Sequence, residues 1–209
     1  NLAKPLRAQL AEYFSIERPK VVSRLHSADG ATLKLLYEFA DGQTAETVLM
    51  RHSYGNSVCV STQVGCRMGC AFCASTLHGL QRNLTAGEIA AQVIGIADFL
   101  RTEGARVDTI VVMGSGEPLE NYDNVIAALR LLHEEYTIGL GYRGVTLSTS
   151  GIVPGIDLAL DLAARADGGA TESDHACQPH VPTRGCAACS AYVCTADEAT
   201  RHLRVYPDS

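Results

Sequence analysis

The sequence predicts an α/β fold: a partial (βα) barrel preceded by a small N-terminal α+β accessory domain. From residue 57 onward, strand-like and helix-like segments alternate, which implies parallel strands joined by right-handed crossovers. Before that point, Asp-Gly turn signals separate three short strand-like runs, which favours an antiparallel meander. The length of 209 residues and the 46% hydrophobic, 19% charged composition are typical of a globular chain with a sizeable core.

The first 52 residues are assigned to the accessory domain. Apolar residues at helical spacing around Pro5 predict a helix over residues 2–14. The meander that follows has predicted strands at residues 21–26, 32–39 and 44–50.

Residues 53–165 are assigned to the first half of the barrel. Its predicted elements, in order, are a strand at 57–63, a helix opened by the capping box of Thr85 and Glu88, a strand at 107–113, a helix at 122–133, a strand at 145–150 and a helix at 156–164. In such folds the reacting groups lie at the carboxyl ends of the strands. Functional residues are therefore expected in the loops that follow the three strands.

The first of these loops carries three cysteines, Cys66, Cys70 and Cys73. Three thiolates on one short loop can hold three irons of a [4Fe–4S] cube and leave the fourth iron open to a small chelating molecule. Disulfides are an alternative, although three cysteines so close cannot all pair with one another. Zinc is another, although a zinc site needs a fourth ligand. Eight cysteines without a secretion signal indicate a reducing compartment.

The second loop is rich in glycine and covers residues 114–118. Its glycines let the backbone approach a ligand, and Glu117 could accept hydrogen bonds from an ammonium group. Ser148 and Ser150, at the end of the third strand, could reach the same place. An ordinary strand-to-helix turn and polar strand ends explain these residues equally well when each is taken alone.

Composition limits the remaining classes. No apolar run approaches the roughly 20 residues that a membrane-spanning helix needs. The net charge of −6 is not that of a protein that binds nucleic acid by charge alone. The sequence begins with Asn, so the true start is expected to lie upstream.

Several motifs in one order resemble the RlmN/Cfr family of radical S-adenosylmethionine (SAM) RNA methyltransferases. They are Val-Ser-Thr-Gln-Val-Gly-Cys at residues 60–66, the two further cysteines, and the segments at 79–85, 113–119 and 145–151. The resemblance runs from about residue 2 to about residue 165. It implies a barrel of the radical SAM type, with a [4Fe–4S] cluster and SAM as cofactors.

The resemblance implies roles for individual residues. Cys66, Cys70 and Cys73 would hold the cluster. The cofactor contacts would come from Gly116, Glu117 and Ser148. Glu46 would be the proton acceptor, and Cys59 the thiol that helps to release product through a transient disulfide. Read without the resemblance, Glu46 is an exposed strand carboxylate and Cys59 a small buried hydrophobe.

The family reaction uses two SAM molecules. One methylates a cysteine near the C-terminus, and the other yields a radical that activates this methyl group for addition to an adenine ring. Adenine C2 in 23S rRNA and in some tRNAs is the expected target, with C8 in the rRNA, as in Cfr-type enzymes, as the alternative. The expected setting is a cytoplasmic monomer, without a membrane, that receives electrons from a flavodoxin-type donor.

The resemblance ends at about residue 165, and residues 166–209 form an aberrant tail. Its cysteines and histidines, including Cys186 and Cys189, could form a zinc knuckle. A frameshift explains the tail better, because residues 172–180 read one base onward can encode a segment like the family's next strand. The chain as written then lacks the methyl-carrying cysteine, so an incomplete enzyme is expected, or a non-catalytic zinc or iron–sulfur module.

Overall fold

The computed structural model describes residues 3–13, 18–152, 154–156, 192–196 and 203–207. The helices are α1 (Lys4–Tyr13), α2 (Ala86–Thr102) and α3 (Tyr122–His133). The strands are β1 (Lys20–His26), β2 (Thr32–Glu38), β3 (Thr44–His52), β4 (Gly55–Cys59), β5 (Gln63–Val64), β6 (Arg82–Asn83), β7 (Thr109–Val112), β8 (Val145–Thr149), β9 (Tyr192–Ala196) and β10 (Leu203–Pro207). Within these ranges, none of the helices has the length and apolarity needed to cross a bilayer.

One sheet contains most of the strands, in the order β1-β2-β3-β4-β7-β8-β9-β10. The meander β1 to β4 is antiparallel, and β4, β7 and β8 are parallel to one another. This mixture matches the predicted α/β class, with α2 and α3 on the crossovers. The boundary at residue 52 falls between β3 and β4, which pair directly, so the division into an accessory domain and a barrel remains a prediction.

The two faces of this sheet differ in what covers them. Side chains on one face pack against α2 and α3 in a single core, to which the strands contribute Leu33, Leu35, Tyr37, Leu49, Val58, Ile110 and Val112. The opposite side, called here the far face, carries the alternate residues of the same strands. Residues on the far face, such as Val48, Cys59 and Val111, are only partly buried. The barrel strands therefore have one fully packed face and one accessible face.

The predicted strand at 57–63 is wrong beyond Cys59, because β4 ends there; Val60 still bonds to Val111 and Gly114, but the chain no longer pairs with β3. The register of β3 and β4, extended by two pairs, would place Ser61 opposite Glu46. Instead, the Ser61 N–H donates to Gln92 Oε1 at 2.9 Å, and Gln92 Nε2 donates to the Ser61 carbonyl at 2.9 Å. The amide of Gln92, a fully buried side chain of α2, thus takes the place of the neighbouring strand. The freed chain then forms the separate short strand β5.

The start of α2 confirms the predicted capping box. Thr85 Oγ1 accepts the Glu88 N–H at 3.2 Å, and the Glu88 carboxylate accepts the Thr85 N–H at 2.8 Å. Arg82 adds two hydrogen bonds to the same carboxylate, both at 2.8 Å, and an ion pair with Asp41 in the β2–β3 turn. These bonds raise the pKa of the Arg82 guanidinium. Arg82 therefore ties the meander to the beginning of α2.

The C-terminal part of the chain is described only in pieces. The predicted helix at 156–164 lies outside the described residues except for Ile156, which is helical together with the two residues before it. In the tail, β9 pairs antiparallel with β8, and β10 pairs with β9. Cys186 and Cys189 of the predicted zinc knuckle lie outside the described residues.

Tyr37 carries a buried hydroxyl that has no hydrogen-bond partner among the described residues. It lies against Gly95 of α2, where a Cβ atom would stand 2.2 Å from the Tyr37 oxygen. Burial raises the pKa of Tyr37 from 10.0 to about 12. The absence of a side chain at Gly95 is thus what lets the helix approach the sheet so closely.

We expect Tyr37→Phe to raise the free energy of unfolding by about 1 kcal/mol, because it removes an unsatisfied buried hydroxyl.

The same substitution should also change how the free energy of unfolding depends on pH. An unfolded tyrosine ionises near pH 10 and the folded Tyr37 near 12, so wild-type stability falls across that range as pH rises. The variant should lose less stability there. Urea unfolding at pH 7 and above pH 10 measures both effects, with the exposed Tyr13→Phe as control. An equal alkaline loss in both variants would contradict the assignment.

Candidate functional site

The glycine loop, residues 114–118, follows β7 and is bonded to the chain that leads into the cysteine loop, residues 65–73. The Ser115 carbonyl accepts the N–H groups of Thr62 and Gln63 at 2.8 and 3.1 Å. Ser115 N–H donates to Ser61 Oγ at 3.0 Å, and Glu117 N–H donates to Gln63 Oε1 at 2.8 Å. The two loops that the sequence predicts as functional are therefore neighbours at the carboxyl ends of β4 and β7.

Gly116 is required by the close approach of these two segments. Its φ of +107° lies in a region that side chains with a Cβ disfavour. A Cβ added at this position would stand 2.6 Å from Gln63 Cβ and 2.7 Å from Gln63 N. The space beside Gly116 is filled by protein on that side, so the glycine is needed for packing whether or not it also contacts a cofactor.

Glu117 joins the glycine loop to the end of β8. Its side chain is only 3% exposed. Oε1 accepts from Leu119 N–H at 3.0 Å and from Thr149 Oγ1 at 2.7 Å. Oε2 accepts from Ser150 N–H at 2.7 Å and from Ser150 Oγ at 2.8 Å. The third predicted strand end is thus brought to the same place as the other two.

The cysteine loop lies beside this carboxylate. Cys66 is buried, Cys70 and Cys73 are half-buried, and none of the three forms a disulfide. Burial raises the pKa of the Cys66 thiol, and the nearby Cys73, Glu117 and Glu120 raise it further. The structure therefore groups the first and third cysteines with Glu117 on one side of the barrel.

An ion pair anchors the cysteine loop to the segment that follows the glycine loop. Arg67 Nε lies 2.6 Å from Glu120 Oε1, and the Glu120 carboxylate is largely buried while the guanidinium is mostly exposed. Gln63 Nε2 lies 3.5 Å from Glu120 Oε2. Arg67, which directly follows the first cysteine, is therefore held in place by Glu120, a residue outside the cysteine loop.

The donor set of the cysteine loop suits an iron–sulfur cluster. Among the residues that the structure describes, no three cysteine, histidine or acidic side chains are grouped as the ligands of a single metal ion would be. A cluster does not need that grouping, since each thiolate binds a different iron. Three cysteines on one loop, one buried, two half-buried and none in a disulfide, have the number and chemistry that such a cluster uses.

The remaining predicted site residues lie on the far face of the sheet. Cys59 pairs with Val48 and Val111, which places its side chain on the same face as Glu46 and Ser148. The Glu46 side chain is exposed and pairs with Lys34 at 2.9 Å. Its backbone carbonyl accepts a hydrogen bond from Ser61 Oγ at 2.7 Å. Burial raises the pKa of the Cys59 thiol.

Sequence reasoning missed the residues that hold the loops together. Gln63, a fully buried side chain, lies in a motif that was identified but given no role. Gln92 lies between Ile89 and Val93 on the buried side of α2. A polar residue in an apolar helical stripe is a signal that could have identified it.

The fold and the three-cysteine site together define the class of this protein. The family model described as Radical SAM superfamily matches residues 60–168, more than half of the 209 residues. The chain belongs to the radical SAM superfamily.

The relatives agree with the resemblance to the RlmN/Cfr family. "Probable dual-specificity RNA methyltransferase RlmN" of Desulforamulus reducens is 55% identical over 154 residues, which are 74% of this chain and 43% of that protein. The protein of the same name from Geobacillus kaustophilus is 56% identical over 156 residues, 75% of this chain and 42% of its own length. The chain thus spans less than half the length of the curated relatives it matches.

A solved structure gives the same result for the fold. The crystal structure of a radical SAM methyltransferase from Sphaerobacter thermophilus superposes with a TM-score of 0.71 at 47% identity. The match covers 78% of this chain and 47% of that one. The predicted α/β fold of the radical SAM type is therefore confirmed.

We expect Gly116→Ala to lower the free energy of unfolding by roughly 2 to 4 kcal/mol, because the new Cβ combines backbone strain with overlap on the Gln63 backbone. Gly141→Ala is the matched control, since Gly141 has a φ of −67° and nothing within 4 Å of an added Cβ. Urea denaturation of both variants measures the difference. A Gly116 variant as stable as the Gly141 variant would show that the loop can shift freely.

We expect Gln92→Leu to lower the free energy of unfolding by roughly 2 to 5 kcal/mol. The leucine leaves the Ser61 N–H, the Ser61 carbonyl and the Thr47 hydroxyl without their observed partner in the interior. Gln9→Leu, on an exposed face of α1, controls for the change in residue type. If urea unfolding gives equal values for the two variants, Gln92 does not substitute for a strand.

Proposed function

We propose that this chain belongs to an enzyme that methylates C2 of adenine in RNA, with 23S rRNA and tRNA as substrates, by radical SAM chemistry, and that the chain as written is an incomplete form of that enzyme. The junction of the glycine loop, the cysteine loop and the end of β8 at Glu117 is the observation that carries the proposal. Three strand ends meet there beside the three cysteines of the cysteine loop, none of them in a disulfide, which is what one cofactor bound across all three loops requires. The RNA substrate is inferred from the printed names of the relatives.

Cys66, Cys70 and Cys73 would hold the [4Fe–4S] cluster. When bound, the cluster would supply the electron for reductive cleavage of SAM to a radical. Radical chemistry suits adenine C2, because this ring carbon is not nucleophilic and would not accept a methyl group by an ordinary polar transfer. The protein's part is to present the three cysteine sulfurs, which bind metal as thiolates, so metal uptake releases protons and depends on pH.

Gly116 and Glu117 would bind the methionine end of SAM, and Ser148 would also contact SAM. Glu117 is suited to an ammonium group, because a buried carboxylate interacts strongly with a cation. Gly116 brings the loop backbone close to the cysteine loop. Ser148, half-buried on the far face of β8, is placed one residue before the Thr149 that bonds to Glu117.

Glu46 and Cys59 would act on the substrate side, from the far face. Lys34 holds the Glu46 carboxylate on that face, where it could accept a proton from the adenine ring. Burial raises the pKa of the Cys59 thiol, so Cys59 is protonated at neutral pH and must lose that proton before it can form the transient disulfide. The target base must leave its stack to reach this face.

The further partners follow from the chemistry. We expect an external flavodoxin-type protein to deliver the electron, and we expect the enzyme to act as a monomer in the cytoplasm. The C-terminal part of the family barrel, with the cysteine that carries the methyl group, is needed for the complete reaction.

We expect the 209-residue chain, reconstituted anaerobically with iron and sulfide, to take up iron and show the visible absorption of a cluster. Reduction should then cleave SAM to 5′-deoxyadenosine and methionine. Alanine at Cys66, Cys70 or Cys73 should abolish most iron uptake, because each removes one of three protein ligands. Cys59→Ala should retain iron, since Cys59 lies in a strand rather than in the cysteine loop.

Two results would contradict the proposal. Iron uptake that survives loss of the loop cysteines would place the metal elsewhere. Stoichiometric zinc without SAM cleavage would favour the non-catalytic metal-binding module.

A further inference from the structure

The Glu117 carboxylate has as many hydrogen-bond donors as it can readily accept. A carboxylate offers about four acceptor sites, two on each oxygen. Leu119 N–H and Thr149 Oγ1 occupy Oε1, and the N–H and Oγ of Ser150 occupy Oε2. With the side chain 3% exposed, a ligand can reach this group only where a donor moves away.

The four donors differ in how easily they can move. Two are backbone N–H groups, fixed by the turns that carry them. Thr149 is buried, and its Oγ1 also accepts the Gly151 N–H at 3.2 Å, so this hydroxyl is held twice. Ser150 is half-buried, and its hydroxyl needs only a rotation about one bond to release Oε2. Ser150 Oγ is therefore the donor that can move away from Glu117 and make room for a ligand.

We propose that Ser150 is a positioning residue whose hydroxyl competes with the ammonium group of the cofactor for Glu117 Oε2. This inference rests on the proposed function, because it takes SAM as the ligand. The bond from the Ser150 hydroxyl has an ionised acceptor only, whereas an ammonium and a carboxylate carry opposite full charges, so their added Coulombic attraction lets the ammonium displace the hydroxyl. A ligand without the amino group gains no such bond.

Through this competition Ser150 lowers the affinity of the site for SAM and affects only ligands that carry the amino group. Part of the binding free energy of an ammonium ligand is spent on breaking the bond from Ser150 to Glu117. A variant that lacks the hydroxyl keeps the Ser150 backbone donor and leaves one acceptor site open for the ligand. Such a variant should bind SAM more tightly than the wild type, whereas loss of an ordinary contact or support would weaken binding.

The test measures dissociation constants by anaerobic calorimetry on the reconstituted 209-residue chain. We expect Ser150→Ala to bind SAM about tenfold more tightly than wild type, which is the low end of what one hydrogen bond to a charged group is worth. Ser150→Thr keeps the hydroxyl and should bind as wild type does. Ser23→Ala, in the exposed strand β1, is the matched control and should also be unchanged. For a SAM analogue that lacks the α-amino group, Ser150→Ala and wild type should bind equally.

Equal or weaker SAM binding by Ser150→Ala would overturn the inference, as would equal tightening toward the analogue without the amino group. Circular dichroism checks folding, and Ser150→Gly, with the same expectation, replaces Ser150→Ala if that variant does not fold. The two levels of failure are distinct. Wild-type protein that takes up no iron and binds no SAM overturns the proposed function together with this inference. A wild type that binds, with a variant that binds no more tightly, overturns this inference alone.

Discussion

The amide of Gln92 substitutes for a β-strand at Ser61, and the arrangement of the site depends on it. Antiparallel pairing of β3 and β4 would otherwise continue past Cys59 and keep the chain in the sheet. A glutamine amide has the same donor and acceptor groups as a peptide unit, so it satisfies the Ser61 backbone without requiring a strand beside it. The chain can then leave β3 before it reaches the cysteine loop.

A series of hydrogen bonds joins the segment after β4 to the glycine loop, and the glycine loop to the end of β8. Ser61 and Gln63 bind the glycine loop through its backbone, and Gln63 receives the Glu117 N–H. Glu117 in turn binds Thr149 and the residue after it. Each link joins a strand end to the next one, so the three ends form one unit. A cofactor bound across them would meet a surface that is already assembled, which reduces the cost of ordering on binding.

The parts of the fold that depend on neighbouring residues could be predicted from the sequence, and those that depend on distant contacts could not. The capping box of Thr85 and Glu88 joins residues three apart, and its pattern is visible in the sequence. The bond from Ser61 to Gln92 joins residues 31 apart. No local pattern predicts its geometry, and the strand was therefore extended too far. The residues of the cysteine and glycine loops were identified by motif, but the saturation of Glu117 by donors from Leu119, Thr149 and Ser150 required the structure.

The contact between Gly95 and Tyr37 has a consequence for the site, although neither residue belongs to it. A glutamine side chain spans a set distance, so Gln92 reaches the Ser61 backbone only while α2 lies at its present height above the sheet. Gly95, one turn further along the same helix, determines that height because it lets the tyrosine ring touch the helix backbone. The spacing between two layers of the fold therefore governs whether the first barrel strand ends where it does. A larger side chain at Gly95 would move α2 away from the sheet and shift Gln92 relative to Ser61, although Gly95 lies outside the candidate site.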